Sequence, residues 1–211
     1  MSGKDIFTLW TEANRRAIRE SRITVNRNLV DVIAKLPRKP KVFISASAVG
    51  YYGDKGEAML DEDAGKGKGL LADVCADWEK EARRVESLGV RSVQVRTAPV
   101  LGKKGGIMGQ LMKSFRFGFT FRFGSGSNWF PWIHMDDLVR VYHLVVKDKN
   151  LSGPVNACAP EPLRFRDFLD ELRKYRNAAA VPFPAGMLRL FIQETADVLT
   201  FSQRVVPVKL Q

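Results

Sequence analysis

Apolar and polar positions along the chain alternate with two different periods, and the switch between them outlines the fold. Through residues 11–36, "TEANRRAIRESRITVNRNLVDVIAKL", apolar side chains fall at Ala17, Ile18, Val25, Leu29, Val32, Ile33 and Leu36, a helical spacing that Pro37 ends. "KVFISASAV" (41–49) is short, apolar and bounded by Pro40 and Gly50, which predicts a buried strand. A glycine-rich, charged loop follows, "GDKGEAMLDEDAGKGKG", and then a helix from about Leu70 to Leu88, closed by Gly89. "VRSVQVRTAPVLG" (90–102) reads as a second strand, stopped by Pro99 and Gly102. Two strands around one helix make a right-handed βαβ unit. Val42–Val49 and Val93–Pro99 are therefore expected as adjacent parallel strands, with Val155–Cys158 further along the same sheet.

Beyond Gly105 the pattern changes. "GIMGQLMKSFRFG" is compatible with a helix, and "FTFRFGSGSNWFPWIH" is aromatic, glycine-punctuated and irregular or short-stranded. "MDDLVRVYHLVVKD" is a helix whose first turn holds Asp136 and Asp137 against the positive end of the dipole. "GPVNACAP" (153–160) is a third short strand, and "LRFRDFLDELRKYR" is an amphipathic helix. "VPFPAGMLRLF" and "ETADVLTFSQRVVP" read as loop plus helix. No internal repeat is present.

Charge adds a partner question. The 211 residues carry 34 Lys and Arg against 23 Asp and Glu, a net +11 with pI about 9.9. From Ser87 to Met135 there is no acid, while Arg91, Arg96, Lys103, Lys104, Lys113, Arg116 and Arg122 lie within. This stretch is either an anion-binding surface, for a nucleotide diphosphate, an RNA backbone or an acidic protein, or a solvated basic face. Two cysteines, Cys75 and Cys158, are too few for a disulfide framework and point to a reducing, intracellular setting, matrix or cytoplasm. The apolar runs fall short of a membrane span, and no metal-ligand spacing occurs, so no metal is expected. The five phenylalanines of "FRFGFTFRF" (115–123) alternate like a base-stacking strand of an RNA-recognition motif. The glycine before the first aromatic and a partner strand are missing, however, and Arg122 takes a further aromatic place. The rings are then expected either to fill a pocket or to form an exposed contact patch.

"SRITVNRNLVDVI", "VFISASAVGYYGD", "LLADVCADWEKEA", "VRSVQVRTAPVLGKKGGIMGQLM", "FGSGSNWFPWIHMDDLV" and "GPVNACAP" together resemble successive blocks of the atypical extended short-chain dehydrogenase/reductases, the epimerase-family proteins related to nucleoside-diphosphate-sugar epimerases. The resemblance implies an α/β fold: a partial Rossmann-like, NAD(P)-binding parallel sheet with a smaller C-terminal substrate-type domain. Its divisions would be 1–105 for the incomplete Rossmann-like part, 106–134 and 160–211 for the substrate-type part, and 135–159 returning to the sheet. It implies Ser47 as the hydroxyl that polarises the substrate oxygen, Ser45, Ala46, Thr97 and Pro99 as cofactor-side positions, and Tyr52, His134 and Asn128 around the substrate pocket. Lys103, Lys104, Lys113, Arg116 and Arg122 are the candidate anion or partner contacts. By the same resemblance "FGFT" would be a helix end entering a glycine turn.

Two expected features are missing. The family's glycine loop, G-x-x-G-x-x-G, would precede this chain's first strand, and "GKGKG" (65–69) and "GKKGG" (102–106) lie in the wrong context to replace it. The Tyr-x-x-x-Lys pair, counted back from the matching Glu79, falls on Leu71 and Cys75, and leucine cannot transfer a proton. The expectation is a chain that alone binds no cofactor, or NADP only if an N-terminal half is supplied. Two readings remain: a structural or accessory subunit of a larger, RNA-containing assembly, or an NADP-dependent oxidoreductase or nucleotide-sugar epimerase completed elsewhere. Either way another polypeptide is expected to cover the open edge of the sheet.

Overall fold

The computed structural model describes residues 3–6, 8–102, 108, 109, 112, 115–175, 178–183, 196 and 200–211. Its first helix, α1 (Glu12–Lys35), starts at Thr11, whose side chain accepts the Asn14 amide, and stops at Leu36, which turns extended before Pro37. One flank of α1 buries Ile18, Ile23, Val30 and Ile33. Strand β1 (Val42–Ala48) follows, then β2 (Met59–Leu60), α2 (Leu70–Arg83) and β3 (Arg91–Thr97). The helix expected as far as Leu88 is α-helical to Arg83 and tightens into a 3₁₀ turn over Arg84–Leu88 before left-handed Gly89.

The expected sheet is present. β1, β3 and β8 (Gly153–Ala157) lie in the order β1-β3-β8, all parallel, with Ser45 opposite Gln94, Ser47 opposite Arg96 and Val95 opposite Val155. Alternation sorts the side chains onto two faces. Phe43 packs with Val30, Ile33, Val85 and Val90 on the α1/α2 side. Val42, Ile44, Val93, Val95 and Val155 pack with Val145, Leu138 and Val141 of α3 (Met135–Lys147) on the other. Among the described residues no strand pairs with the outer edge of β1.

A second cluster, built on Phe115, Phe130, Phe165, Phe168 and Leu169, forms the core of the remaining region. Here β6 (Trp129–Phe130) runs antiparallel to β9 (Leu163–Arg164), which leads into α4 (Phe165–Tyr175). β4 (Val100–Leu101) pairs with β7 (Ile133–His134), and β11 (Arg204–Val205) pairs with β2. "FTFRF" is not a helix end. It is strand β5 (Phe119–Phe123), parallel to β10 (Ala179–Phe183), and its two-residue period is that of a sheet with Phe119, Phe121 and Phe123 on one face. β10 includes Pro182, tolerated in a two-stranded ribbon. The rings divide: Phe123 stacks on buried Phe165, while Phe117 is 78% exposed.

Candidate functional site

The carboxyl ends of β1 and β3 hold a buried polar network. On β1, Ser45 accepts a hydrogen bond from Asn26 Nδ2 (2.7 Å) and donates to the Ala46 carbonyl. Ser47 donates to Glu79 Oε1 at 2.7 Å. Across the sheet Arg96 grips the same carboxylate with Nε and its second terminal nitrogen, each at 2.9 Å, and its other terminal nitrogen donates to the Tyr52 hydroxyl at 2.9 Å. The guanidinium also lies 3.6 Å over the Tyr51 ring. Glu79 and Arg96 are 1% and 2% exposed, so this is a fully desolvated pair. Burial alone would lower the Arg96 pKa, but the bonds and charge of Glu79 outweigh it and hold the guanidinium above its ordinary value.

The network continues through Tyr52, whose hydroxyl lies 2.7 Å from Asn156 Oδ1 and 2.8 Å from the Asp61 carbonyl. Burial, partly opposed by Arg96, pushes this phenol up to about 12. Asn156 in turn donates its amide N–H to buried Glu62 and its side-chain N–H to the Val206 carbonyl.

The positions where a Tyr/Lys pair was sought are apolar. Leu71 Cβ and Cys75 Sγ lie 3.4 and 3.8 Å from where a side chain on Gly50 would begin. Burial first, and then the Glu79 charge, push the Cys75 thiol up to about 12. Of the other expected residues, the Thr97 hydroxyl donates to the Val95 carbonyl and the Pro99 carbonyl accepts the Ile133 amide. His134 caps α3, its Nδ1 accepting the Asp136 amide, and lines a cleft of about 640 Å³ with Trp132, Asp137, Arg140, Cys158 and Glu161. Asn128 reaches the Phe201 carbonyl at 3.4 Å. Tyr52, His134 and Asn128 thus each bond to a different segment. Arg116 is exposed, and Lys103, Lys104 and Lys113 lie outside the described residues.

Sequence reasoning missed the centre of this network. Glu79 served only to place the missing Tyr/Lys pair, and Arg96 was grouped with surface cations. Arg91 is half-buried, donating to the carbonyls of Leu151 and Val145. The available signal was the file Ser92, Gln94, Arg96: polar side chains at a period of two inside a buried strand.

The model for the NAD dependent epimerase/dehydratase family matches residues 7–158. This chain belongs to that family. Among curated members it is 34% identical over 212 residues to the "Epimerase family protein SDR39U1 homolog, chloroplastic" of Arabidopsis thaliana, covering 99% of this chain and 61% of that protein. It is 32% identical to the "Epimerase family protein YfhF" of Bacillus subtilis, covering 99% and 69%. The chain therefore spans between three fifths and seven tenths of the length of these two relatives. The crystal structure of human epimerase family protein SDR39U1 (isoform 2) with NADPH superposes with a TM-score of 0.91 at 29% identity, covering 99% of this chain and 72% of that one. The Rossmann-like parallel sheet is thereby the family's own.

Three amides of the described glycine loops, those of Gly53, Gly56 and Gly67, are taken up by the chain itself. The G-x-x-G-x-x-G spacing does occur at Gly50, Gly53 and Gly56, but it folds as a 3₁₀ turn (Val49–Tyr52) followed by a tight turn at Gly56, closed by the Ala58 amide on the Lys55 carbonyl. The Gly53 amide donates to the Gly50 carbonyl, the Gly56 amide to the Asp54 carboxylate, and Gln203 donates to the carbonyls of Val49 and Gly53. In "GKGKG" the Gly67 amide donates to the Tyr51 carbonyl, and a Cβ there would stand 2.0 Å from the Tyr52 oxygen. A phosphate cradle needs amides pointing outward, and these point at the chain itself.

Proposed function

We propose that this chain is an accessory member of its family, with the parallel sheet retained and catalysis lost. One observation carries the reading: the polar groups where proton transfer should occur are either replaced, by Leu71 and Cys75, or committed, Ser47 donating inward to Glu79. A serine whose proton sits on a buried, arginine-paired carboxylate is oriented away from a substrate oxygen. The outer edge of β1 supports the second element of the proposal, a further polypeptide segment that completes the sheet, since parallel edges of this kind are covered in α/β proteins. The net charge of +11 favours an acidic protein surface or an RNA backbone as a further contact of the assembly.

A second reading, an NADP-dependent oxidoreductase or nucleotide-sugar epimerase completed by a separate cofactor half, is favoured by the NADPH in the human relative's crystal. Titration of this chain with NADPH, followed by nicotinamide fluorescence, separates the two. The accessory reading expects no saturable enhancement; micromolar binding, lost in Ser47→Ala, would overturn it.

A further inference from the structure

Four arginines converge on one short loop, Gly124–Trp129, and among the described residues two of them, Arg122 and Arg204, form no ion pair, although the charge of Arg204 still acts on Glu57. Beside left-handed Gly126 the space a side chain would need is filled by Arg166 Cβ (3.0 Å) and Arg122 Cγ (3.1 Å). Arg164 donates to the Ser127 carbonyl and lies 3.9 Å over the Trp129 ring, with Arg204 at 4.7 Å from the same ring. Arg164 is neutralised by Glu57 at 2.7 Å, and Arg166 lies 3.4 Å from Asp167. Arg122 and Arg204 meet no carboxylate at ion-pair distance among the described residues, and in each the Nε is buried without a hydrogen-bond partner. Thr120, fully buried and two residues before Arg122 on the same face of β5, has an unpartnered hydroxyl as well. The loop also touches the amino end of α4, whose Phe165 and Arg166 amides donate to the carbonyls of Asn128 and Gly126, so the positive end of the helix dipole adds to the arginines.

Buried donors without acceptors are rare in folded proteins, because each loses its water without a replacement, and a bound anion supplies the missing acceptors. Here two orphan guanidinium donors, one orphan hydroxyl, an excess of cations and a helix amino end meet at one loop. The planar fork of arginine matches phosphate oxygens two at a time, and a guanidinium carries its charge at every physiological pH. We propose that the Gly124–Trp129 loop is a binding site for the phosphate group of a small phosphorylated ligand, with Arg122 and Arg204 as its principal contacts. The site is separate from the strand-end network and does not depend on whether the chain binds NADPH.

Inorganic pyrophosphate titrated into the full 211-residue chain at low salt tests this, with tryptophan fluorescence as the readout because Trp129 lies against Arg164 and Arg204. A saturable change is expected, weakened about tenfold or more by Arg122→Gln and by Arg204→Gln, the loss that follows removal of a charge-assisted hydrogen bond. Arg27→Gln, an exposed arginine of α1 paired with Glu81, should leave the titration unchanged. If Arg122→Gln does not fold, Arg122→Lys keeps the charge without the fork and should still weaken binding. No saturable response, or an equal response in every variant, overturns the proposal. So does binding of a short single-stranded oligonucleotide under conditions where pyrophosphate gives no signal.

Discussion

Replacing Arg96 by methionine keeps the aliphatic stem of the side chain and deletes its guanidinium, so the change isolates the buried ion pair. Glu79, 1% exposed, would retain the Ser47 hydroxyl at 2.7 Å and Arg83 at 3.9 Å, too far for a hydrogen bond. Two bonds to the carboxylate, one to Tyr52 and one to the Glu62 carbonyl disappear together. Breaking one partner of a buried pair costs about 3–5 kcal/mol, because the other charge stays desolvated. The double variant Glu79→Leu/Arg96→Met removes both charges and strands mainly the Ser47 hydroxyl, for about 1–3 kcal/mol. The double variant should therefore be more stable than Arg96→Met alone, although it carries one more substitution. Urea unfolding followed by circular dichroism reads both values, with equal slopes required for the comparison. A loss below about 1 kcal/mol in Arg96→Met, or additive losses in the double variant, would refute the view that the pair acts as one unit.

Two predictions concern pH. Burial holds both thiols near 12, above the ordinary 9, so they favour the fold below pH 9 and this contribution is lost as pH rises from about 9 to about 12. Cys75 and Cys158 should accordingly resist a disulfide reagent at pH 8 in the native chain and react fully in urea; a fast native thiol contradicts the packing. At the acid end, hydrogen bonds from Arg164 and Trp129 lower Glu57 from 4.5 to about 2. Its contribution is present above 4.5 and lost as pH falls toward 2, so Glu57→Gln should flatten that part of the thermal-stability profile, and an unchanged profile would discount the clasp.

The parallel sheet was legible because its strands are short apolar runs closed by Pro40, Gly50, Pro99 and Gly102, signals that need no knowledge of tertiary partners. The β5–β10 pair was less accessible. The alternating phenylalanines carried a strand period, but the helical reading of the family block overrode it, and residues 179–183, with two alanines and a proline, announce no strand on their own. The ion pair was hidden for a different reason. Glu79 and Arg96 sit on a helix and a strand whose registers are separately readable, yet only the packing of α2 on β3 brings them to 2.9 Å. Charge counting then failed in the same place, since a cation inside a sheet and one on its rim look alike in composition.

The docking of Gly67 on the turn after β1 has an evolutionary consequence. A Cβ at position 67 would meet backbone at 2.0 Å, and backbone cannot swing aside, so selection should tolerate no other residue there. Two places earlier, Gly65 has open space around it and a negative φ, and should drift freely. Gly69, at φ 98°, has room for a side chain but a backbone angle that disfavours one. The three glycines of "GKGKG", indistinguishable in the letters, would thus diverge at three rates. Insertions and deletions should collect around Gly65, where the loop can lengthen without lifting the strap from the Tyr51 carbonyl.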